Sequence, residues 1–298
     1  MGDDRKIEFE KVASGIYLEG LAIDHARRAV WYSDVIAGGV HGIMANGSKQ
    51  SFNTDRQWTG GILMNADGCV LSSGPGGIMW NSPDSGASGW LLREFDGKPI
   101  NGINEMVPDG TGGILFGTND IENVIQSKPT RPTSLYRLTI KGEVIRLAEG
   151  INFSNGIMLS SDRKRLYCND TFVGTWAFDV AADFGLSNRQ MLIEKADADG
   201  MALDSEGNLW ITGFRSSSLT RLRPDGTALT PIQTPGGAIT QIRFAGPDKR
   251  DFYINTVPAD GGDSLKDGIP MSASNSIMYR GRSVSPGMLI APAQFDIT

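Results

Sequence analysis

Histidine and cysteine are nearly absent: the 298-residue chain has two of each. Two histidines exclude a multi-histidine metal centre, and no Cys/His spacing of a zinc knuckle occurs. The Gly-x-Ser-x-Gly pattern of a nucleophile elbow is missing. No run of about 18 apolar residues is found, so a membrane-spanning helix is excluded. The first seven residues, Met1 to Ile7, lack the apolar stretch of a signal peptide. Positive charge is in deficit: 28 Lys and Arg against 34 Asp and Glu give a net charge of −6. That argues against a nucleic-acid partner. The expectation is a cytoplasmic protein with no membrane or nucleic-acid partner, a monomer or weak homo-oligomer.

What the chain has in abundance is glycine, 38 residues, with 40% hydrophobic content. This composition suits a turn-rich β protein with a substantial core. The organising stretch is Ala198 to Thr212. Met201 and Leu203 alternate with Ala202 and Asp204, the period-2 signature of a strand. Ser205 to Asn208 is turn chemistry, and Leu209 to Thr212 is the return strand. Similar units begin at Glu19, Gly60, Asn104, Asn155 and, more weakly, Thr240. The spacings, including that to Asp199, are 41, 44, 51, 44 and 41 residues. A period of about 40–50 residues built of short strands predicts a β-propeller. The expected fold is all-β: a six-bladed β-propeller with four-stranded blades around a central channel, one domain over residues 1–298. Cys69 and Cys168 then fall in blades two and four, which are not adjacent. Both are expected to be buried free thiols.

Equivalent positions in a propeller surround one axis. Glu19, Gly60, Asn104, Asn155, Asp199 and Thr240 are therefore predicted to ring one channel mouth. Two carboxylates and two amides from four blades form an oxygen-donor set suited to a divalent cation. Several further expectations follow. A strand over Ile7 to Ala13 completes the last blade against Met288–Ala291 or Gln294–Ile297. Asp34 and Asp170 share a repeat position and accept backbone N–H bonds from a neighbouring loop. His25 faces solvent, as do Asp204 and Glu206 on the turn side. Trp58, Met79, Trp80 and Trp90 are either core or the wall of an apolar pocket. Residues 123–133 are an insertion, a lid or an idle surface loop.

The residues Glu19-Gly, Asn104-Glu, Ser154-Asn-Gly, and Asp199-Gly followed by Met-Ala-Leu-Asp-Ser-Glu-Gly-Asn-Leu-Trp resemble the gluconolactonase/regucalcin (senescence marker protein) family. The resemblance covers residues from about 15 to 280, and its implied fold is the same propeller. It implies one divalent metal held by Glu19, Asn155 and Asp199, with Asn104 binding substrate and its water. It places Glu122 toward the substrate, and Glu105, where the family has aspartate, beside the site as a further substrate contact. Two further departures stand out: Leu21 replaces the family's proline, and Gly102 replaces an arginine found in sugar-lactone relatives. The latter suggests a bulkier, less hydroxylated substrate than a simple sugar lactone.

The implied reaction is metal-dependent hydrolysis of a lactone or related ester. The metal would polarise the carbonyl, and Asp199 would be the general base with Asn104 positioning water or substrate. Oxygen-only ligands favour Ca²⁺, with Zn²⁺, Mn²⁺ or Mg²⁺ compatible. Two alternatives stay open: a propeller binding module braced by a structural calcium ion, and a metal-assisted ring-opening or isomerisation of an aromatic metabolite.

Overall fold

The computed structural model describes residues 7–100, 102–262, 265 and 276–297. Met1 to Lys6, which carry most of the signal-peptide reading, lie outside them, as do Asp263 and Ser264 at the end of the blade-six polar loop. Among the described residues, six antiparallel four-stranded sheets surround a channel, and a two-stranded ribbon joins Glu94–Phe95 to Lys98–Pro99. Blade one runs outward from the channel as Leu18–Asp24, Ala29–Asp34, Val40–Ile43 and Lys49–Phe52. The other inner strands are Ile62–Met64, Ile103–Pro108, Ser154–Leu159, Ala198–Leu203 and Ala238–Ala245. Each lies against the inner strands of both neighbouring blades, and blade six returns to blade one.

The alternation read from Ala198 to Leu203 has a specific meaning in this ring. Every position of that strand is buried. Met201 and Leu203 pack with residues of blade four, including Ile157, Met158 and Tyr167. Ala202 packs on the other side with Ile239, Ile242 and Phe252 of blade six. Period 2 here separates two buried faces rather than core from solvent. One blade alone would leave both faces wet, so the fold depends on stacking.

The ring closes through the N-terminus. Glu10–Gly15 is the outer strand of blade six and pairs antiparallel with Ser276–Arg282. Closure occurs as the sequence predicts, but with a different partner from the C-terminal segments named above. Those segments run beneath the channel instead. Met288 N–H donates to the Leu203 carbonyl at 2.8 Å, Ala293 N–H to Met64 at 2.9 Å, and Gln294 N–H to Gly112 at 2.8 Å. Asn65 clamps Phe295 on both sides: its Nδ2 donates to the Phe295 carbonyl and its Oδ1 accepts the Phe295 N–H, each at 2.9 Å. The tail thus joins blades five, two and three, and Phe295 is buried with Leu63, Ile114 and Phe116. The physical reason is supply of partners: the lower ends of the inner strands offer free carbonyls and apolar surface, whereas the blade-six edge is already taken.

Asp204 is a second correction. It is buried, and its carboxylate accepts from Glu206 N–H, Asn208 N–H, Asn208 Nδ2 and Trp210 Nε1. A turn aspartate whose lone pairs are all engaged by its own hairpin has no need of water. His25 and Glu206 are exposed, and both cysteines are buried and free.

Truncating Phe295 to alanine should cost about 3 kcal/mol, the usual range for a buried phenylalanine. Urea unfolding of the variant would measure it. An unchanged midpoint would mean that the tail lies on the propeller without supporting it.

Candidate metal centre and active site

Glu19, Asn104, Asn155, Asp199 and Thr240 each sit in a β-bulge at the start of an inner strand, whereas Gly60 precedes its strand, Ile62–Met64. In blade one Leu18 pairs with Asp34 and Leu21 with Tyr32, so Glu19 and Gly20 face the single residue Ser33. The same two-against-one count places Asn104 and Glu105 opposite Gly117. It sets Asn155 and Gly156 opposite Asn169, and Asp199 and Gly200 opposite Thr212. A bulge turns the extra side chain out of the pleat. Here it turns four oxygen-bearing side chains toward the axis. The glycine after the ligand position is a steric necessity. A Cβ at Gly156 would lie 2.5 Å from the Asp199 carbonyl oxygen, and one at Gly200 would lie 2.5 Å from that of Thr240.

Polar residues of the second strands fix these bulges, a role the sequence reading did not assign. Ser33 Oγ donates to the Gly60 carbonyl at 2.6 Å and accepts the Gly20 N–H at 2.7 Å. Asn169 Nδ2 donates to the Asp199 carbonyl at 2.6 Å. Asn255 Nδ2 donates to the Glu19 carbonyl at 2.9 Å. The available signal was a polar residue immediately before the second-strand aspartate, as in Ser33-Asp34 and Asn169-Asp170. Those aspartates do what their shared position suggests. Asp34 accepts the N–H groups of Ile16 and Tyr17, and Asp170 those of Asn152 and Phe153. Each therefore holds the loop that leads into a ring residue.

The ring itself is linked. Asn104 Nδ2 donates to Asn155 Oδ1 at 2.7 Å, and Asn155 Nδ2 donates to Thr171 Oγ1 at 3.2 Å. Thr240 is turned away, its hydroxyl donating to the Leu18 carbonyl at 2.8 Å. Gly60 contributes no side chain, and the position is closely packed: a Cβ there would be 3.1 Å from Asn104 Oδ1 and 3.2 Å from Ser73 Oγ. Asp199 is buried, and its Oδ1 has no hydrogen-bond partner. Burial and then the Glu19 and Glu105 charges push the Asp199 carboxyl well above the usual carboxylate range. Burial, followed by Glu105, raises Glu19 to about 8. Tyr17, which the sequence reading did not single out, stands beside both acids. Its phenol is raised by burial and then by Glu19 and Asp199.

Glu105, read as a substrate contact, has another task. It is buried, with one oxygen on the Met106 N–H and the other accepting from Gln241 Nε2 and from Arg243 Nη2 at 2.9 Å. It occupies the bulge position that is glycine in four other blades, so its side chain enters the channel and meets Arg243. Arg243 is buried too, and its Nη1 donates to the Met201 and Ile242 carbonyls and to Gln241 Oε1. Glu122 is exposed on the short helix Ile121–Ile125. The insertion after it is tied down at Asp120, which accepts from Arg131 N–H, Nε and Nη2. Trp58, Met79 and Trp90 do line a cavity of about 520 Å³ between blades one and two, and Trp58 also packs against the cluster that contains Tyr17, whereas Trp80 packs into the core.

With this geometry in view, known proteins can be compared. Residues 18–258 match the SMP-30/Gluconolactonase/LRE-like region. The chain belongs to this family. A pentonolactonase of Haloferax volcanii is 28% identical over 173 residues, which span 56% of this chain and 57% of that one. Regucalcin of Danio rerio is 29% identical over 205 residues, 63% of this chain and 68% of its own. A luciferin-regenerating enzyme superposes with a TM-score of 0.82 at 20% identity, covering 97% of this chain and all of that one (100%). Regucalcin of Agrobacterium tumefaciens, described as a calcium-binding protein, gives a TM-score of 0.78 at 18% identity over 95% of each chain. At these identities the two structures establish the six-bladed fold.

The residues at the channel mouth fit a resident cation. A buried carboxylate oxygen without a donor is costly, and two neighbouring buried acids repel each other. A cation between Glu19 and Asp199 would answer both, with the Asn155 amide oxygen as a neutral third donor. Among the described residues no three His, Cys, Asp or Glu side chains form a ligand group. Glu105 is the acid that could have been the third, and Arg243 holds it.

The Glu105–Arg243 pair should show the asymmetry of buried ion pairs. Arg243→Met alone should cost about 3 to 5 kcal/mol by leaving a buried charge. Adding Glu105→Gln should recover most of that loss. A double variant as unstable as the single one in denaturant melts would mean that packing, not charge, is the role of Arg243.

Proposed function

We propose that this protein hydrolyses a lactone or related carboxylic ester with a divalent cation held at the channel mouth by Glu19, Asn155 and Asp199. The observation that carries the reading is the unpartnered, buried Asp199 Oδ1 beside Glu19 in a member of this family. The similarity to a pentonolactonase supports the reaction class. The all-oxygen donor set favours Ca²⁺, with Mg²⁺, Mn²⁺ and Zn²⁺ compatible. When bound, the cation would supply Lewis-acid polarisation of the carbonyl and a lower pKa for nearby water.

The chain's own groups divide the remaining work. Asp199 is the general base that removes a proton from the attacking water, and a bound cation would lower its proton affinity, so that its basicity would be modest. Asn104 positions water or substrate. Its Nδ2 is anchored on Asn155, and its Oδ1 lies against Gly60. Glu19 and Asn155 hold the cation in place. Asn155 and Asp199 are buried, which strengthens their interactions.

Metal-stripped protein should be inactive on lactones and regain turnover when a divalent ion is added. Asp199→Ala should lower kcat by about a hundredfold or more with the fold intact. Glu19→Gln should weaken metal affinity by about tenfold or more, one charge being lost from a buried site. Calorimetric metal titration alongside lactone assays checks both. Wild-type rates in the Asp199 variant would remove the proposed base, and unaltered affinity in the Glu19 variant would remove that ligand.

A further inference from the structure

The rim above the ring is apolar and aromatic. Tyr17 stands beside Glu19 and Asp199, and it clusters with Val35, Ile36, Trp58 and Phe214 from blades one, two and five. On blade four, Phe153 immediately precedes Ser154-Asn155 and meets Phe172 edge to face, with centroids 5.7 Å apart. Phe172 is 51% exposed, unusual for a large apolar side chain. Trp58 and Phe172 both hold left-handed backbone, with φ of 61° and 78°. Bulky residues rarely adopt that region, and strain of this kind concentrates at binding sites. Each is pinned by its own N–H, Trp58 to the Val35 carbonyl at 2.7 Å and Phe172 to that of Ala196 at 2.9 Å.

Several charged groups of the flanking loops are already engaged. Lys195 pairs with Asp197 at 2.6 Å, and Asp197 also accepts the N–H groups of Arg215 and Ser216. Asp120 is taken by Arg131. Position 102 cannot carry a side chain at all: Gly102 has φ of 69°, and a Cβ there would lie 2.1 Å from the Asn119 carbonyl oxygen. A polyhydroxylated ring entering this mouth would leave hydroxyls against aromatic faces, each losing its water without a partner. A ring bearing an aryl or branched alkyl group would lose nothing and would bury apolar area.

We infer that Trp58 sets the specificity of this site, and that its substrate is a lactone or ester carrying an aromatic or bulky apolar group rather than a polyhydroxylated one. The inference rests on the hydrolase reading above for the reaction, but not for the binding. Trp58→Gly is a suitable variant because glycine accepts the left-handed backbone without strain.

The test compares kcat/KM for 3,4-dihydrocoumarin and D-glucono-1,5-lactone, with the metal-loaded full chain. Wild type should favour the aryl lactone by about tenfold or more. Trp58→Gly should cut that preference by about ten- to a hundredfold, mostly through KM, with Trp58→Phe restoring much of it. In parallel, the hydroxyaryl acid formed from dihydrocoumarin should quench tryptophan fluorescence, less so in Trp58→Phe, and gluconate should not. Preferential turnover of gluconolactone, or equal loss on both substrates in Trp58→Gly, would overturn the inference while leaving the hydrolase reading intact. Quenching without turnover of any lactone would overturn the hydrolase reading and keep this one.

Discussion

A bulge frees a backbone carbonyl, and a carbonyl freed beside a buried channel needs a donor. In this propeller the donor comes from the blade before. Ser33 serves Gly60, Ser73 serves Asn104, Asn169 serves Asp199, and Asn255 of blade six serves Glu19. Blade three breaks the pattern with Gly117, where the neighbouring Ser154 hydroxyl fills the space: a Cβ at Gly117 would be 1.8 Å from Ser154 Oγ. Blade five breaks it too, since Thr212 donates to the Gly200 carbonyl of its own blade at 3.2 Å. The placement of Glu19 depends on the seam between last and first blades, which the N-terminal strand closes. The chemistry at the mouth is thus a consequence of ring closure, not of any one hairpin.

The channel interior gathers three acids, Glu19, Glu105 and Asp199, and one buried base, Arg243. Burial first, and then their mutual repulsion, raises the proton affinity of Glu19 and Asp199 above the ordinary carboxylate range. Arg243 neutralises one of the three and is itself fully engaged by carbonyls and Gln241. The remaining pair is left with two negative charges uncompensated. That excess is what makes the mouth receptive to a divalent cation, the more so because Asp199 is buried.

The sequence displayed its architecture because a propeller repeats. Six returns of a polar residue, a short strand, a turn and an aromatic strand specify blade count, ring membership and the equivalent duty of Asp34 and Asp170. Features that occur once were invisible to that reading. The C-terminal tail has no counterpart in any repeat, so its strand-like stretches were assigned to the open blade edge rather than to the carbonyls beneath the channel. Glu105 could be placed beside the site but not given its partner, because Arg243 lies 138 residues away in another blade. Asp204 looked solvated because turns usually are. Its burial depends on Asn208 and Trp210 folding back, and on Pro286 and Gly287 packing beneath the same turn.

The same distinction separates reaction from substrate. The proposed ligand residues Glu19, Asn155 and Asp199 are held by the repeat, each in a bulge at the start of its inner strand, so they cannot drift without loss of the fold. Trp58 lies in the loop between blades one and two and is free of that constraint. It shows the difference: it holds backbone that costs of the order of 1 kcal/mol or more for a non-glycine residue, with no strand to require it. A loop under no architectural demand that nonetheless keeps a large aromatic residue in a strained conformation is shaped by what it touches. The ring therefore specifies the class of chemistry, and the strained aromatics above it specify what is admitted.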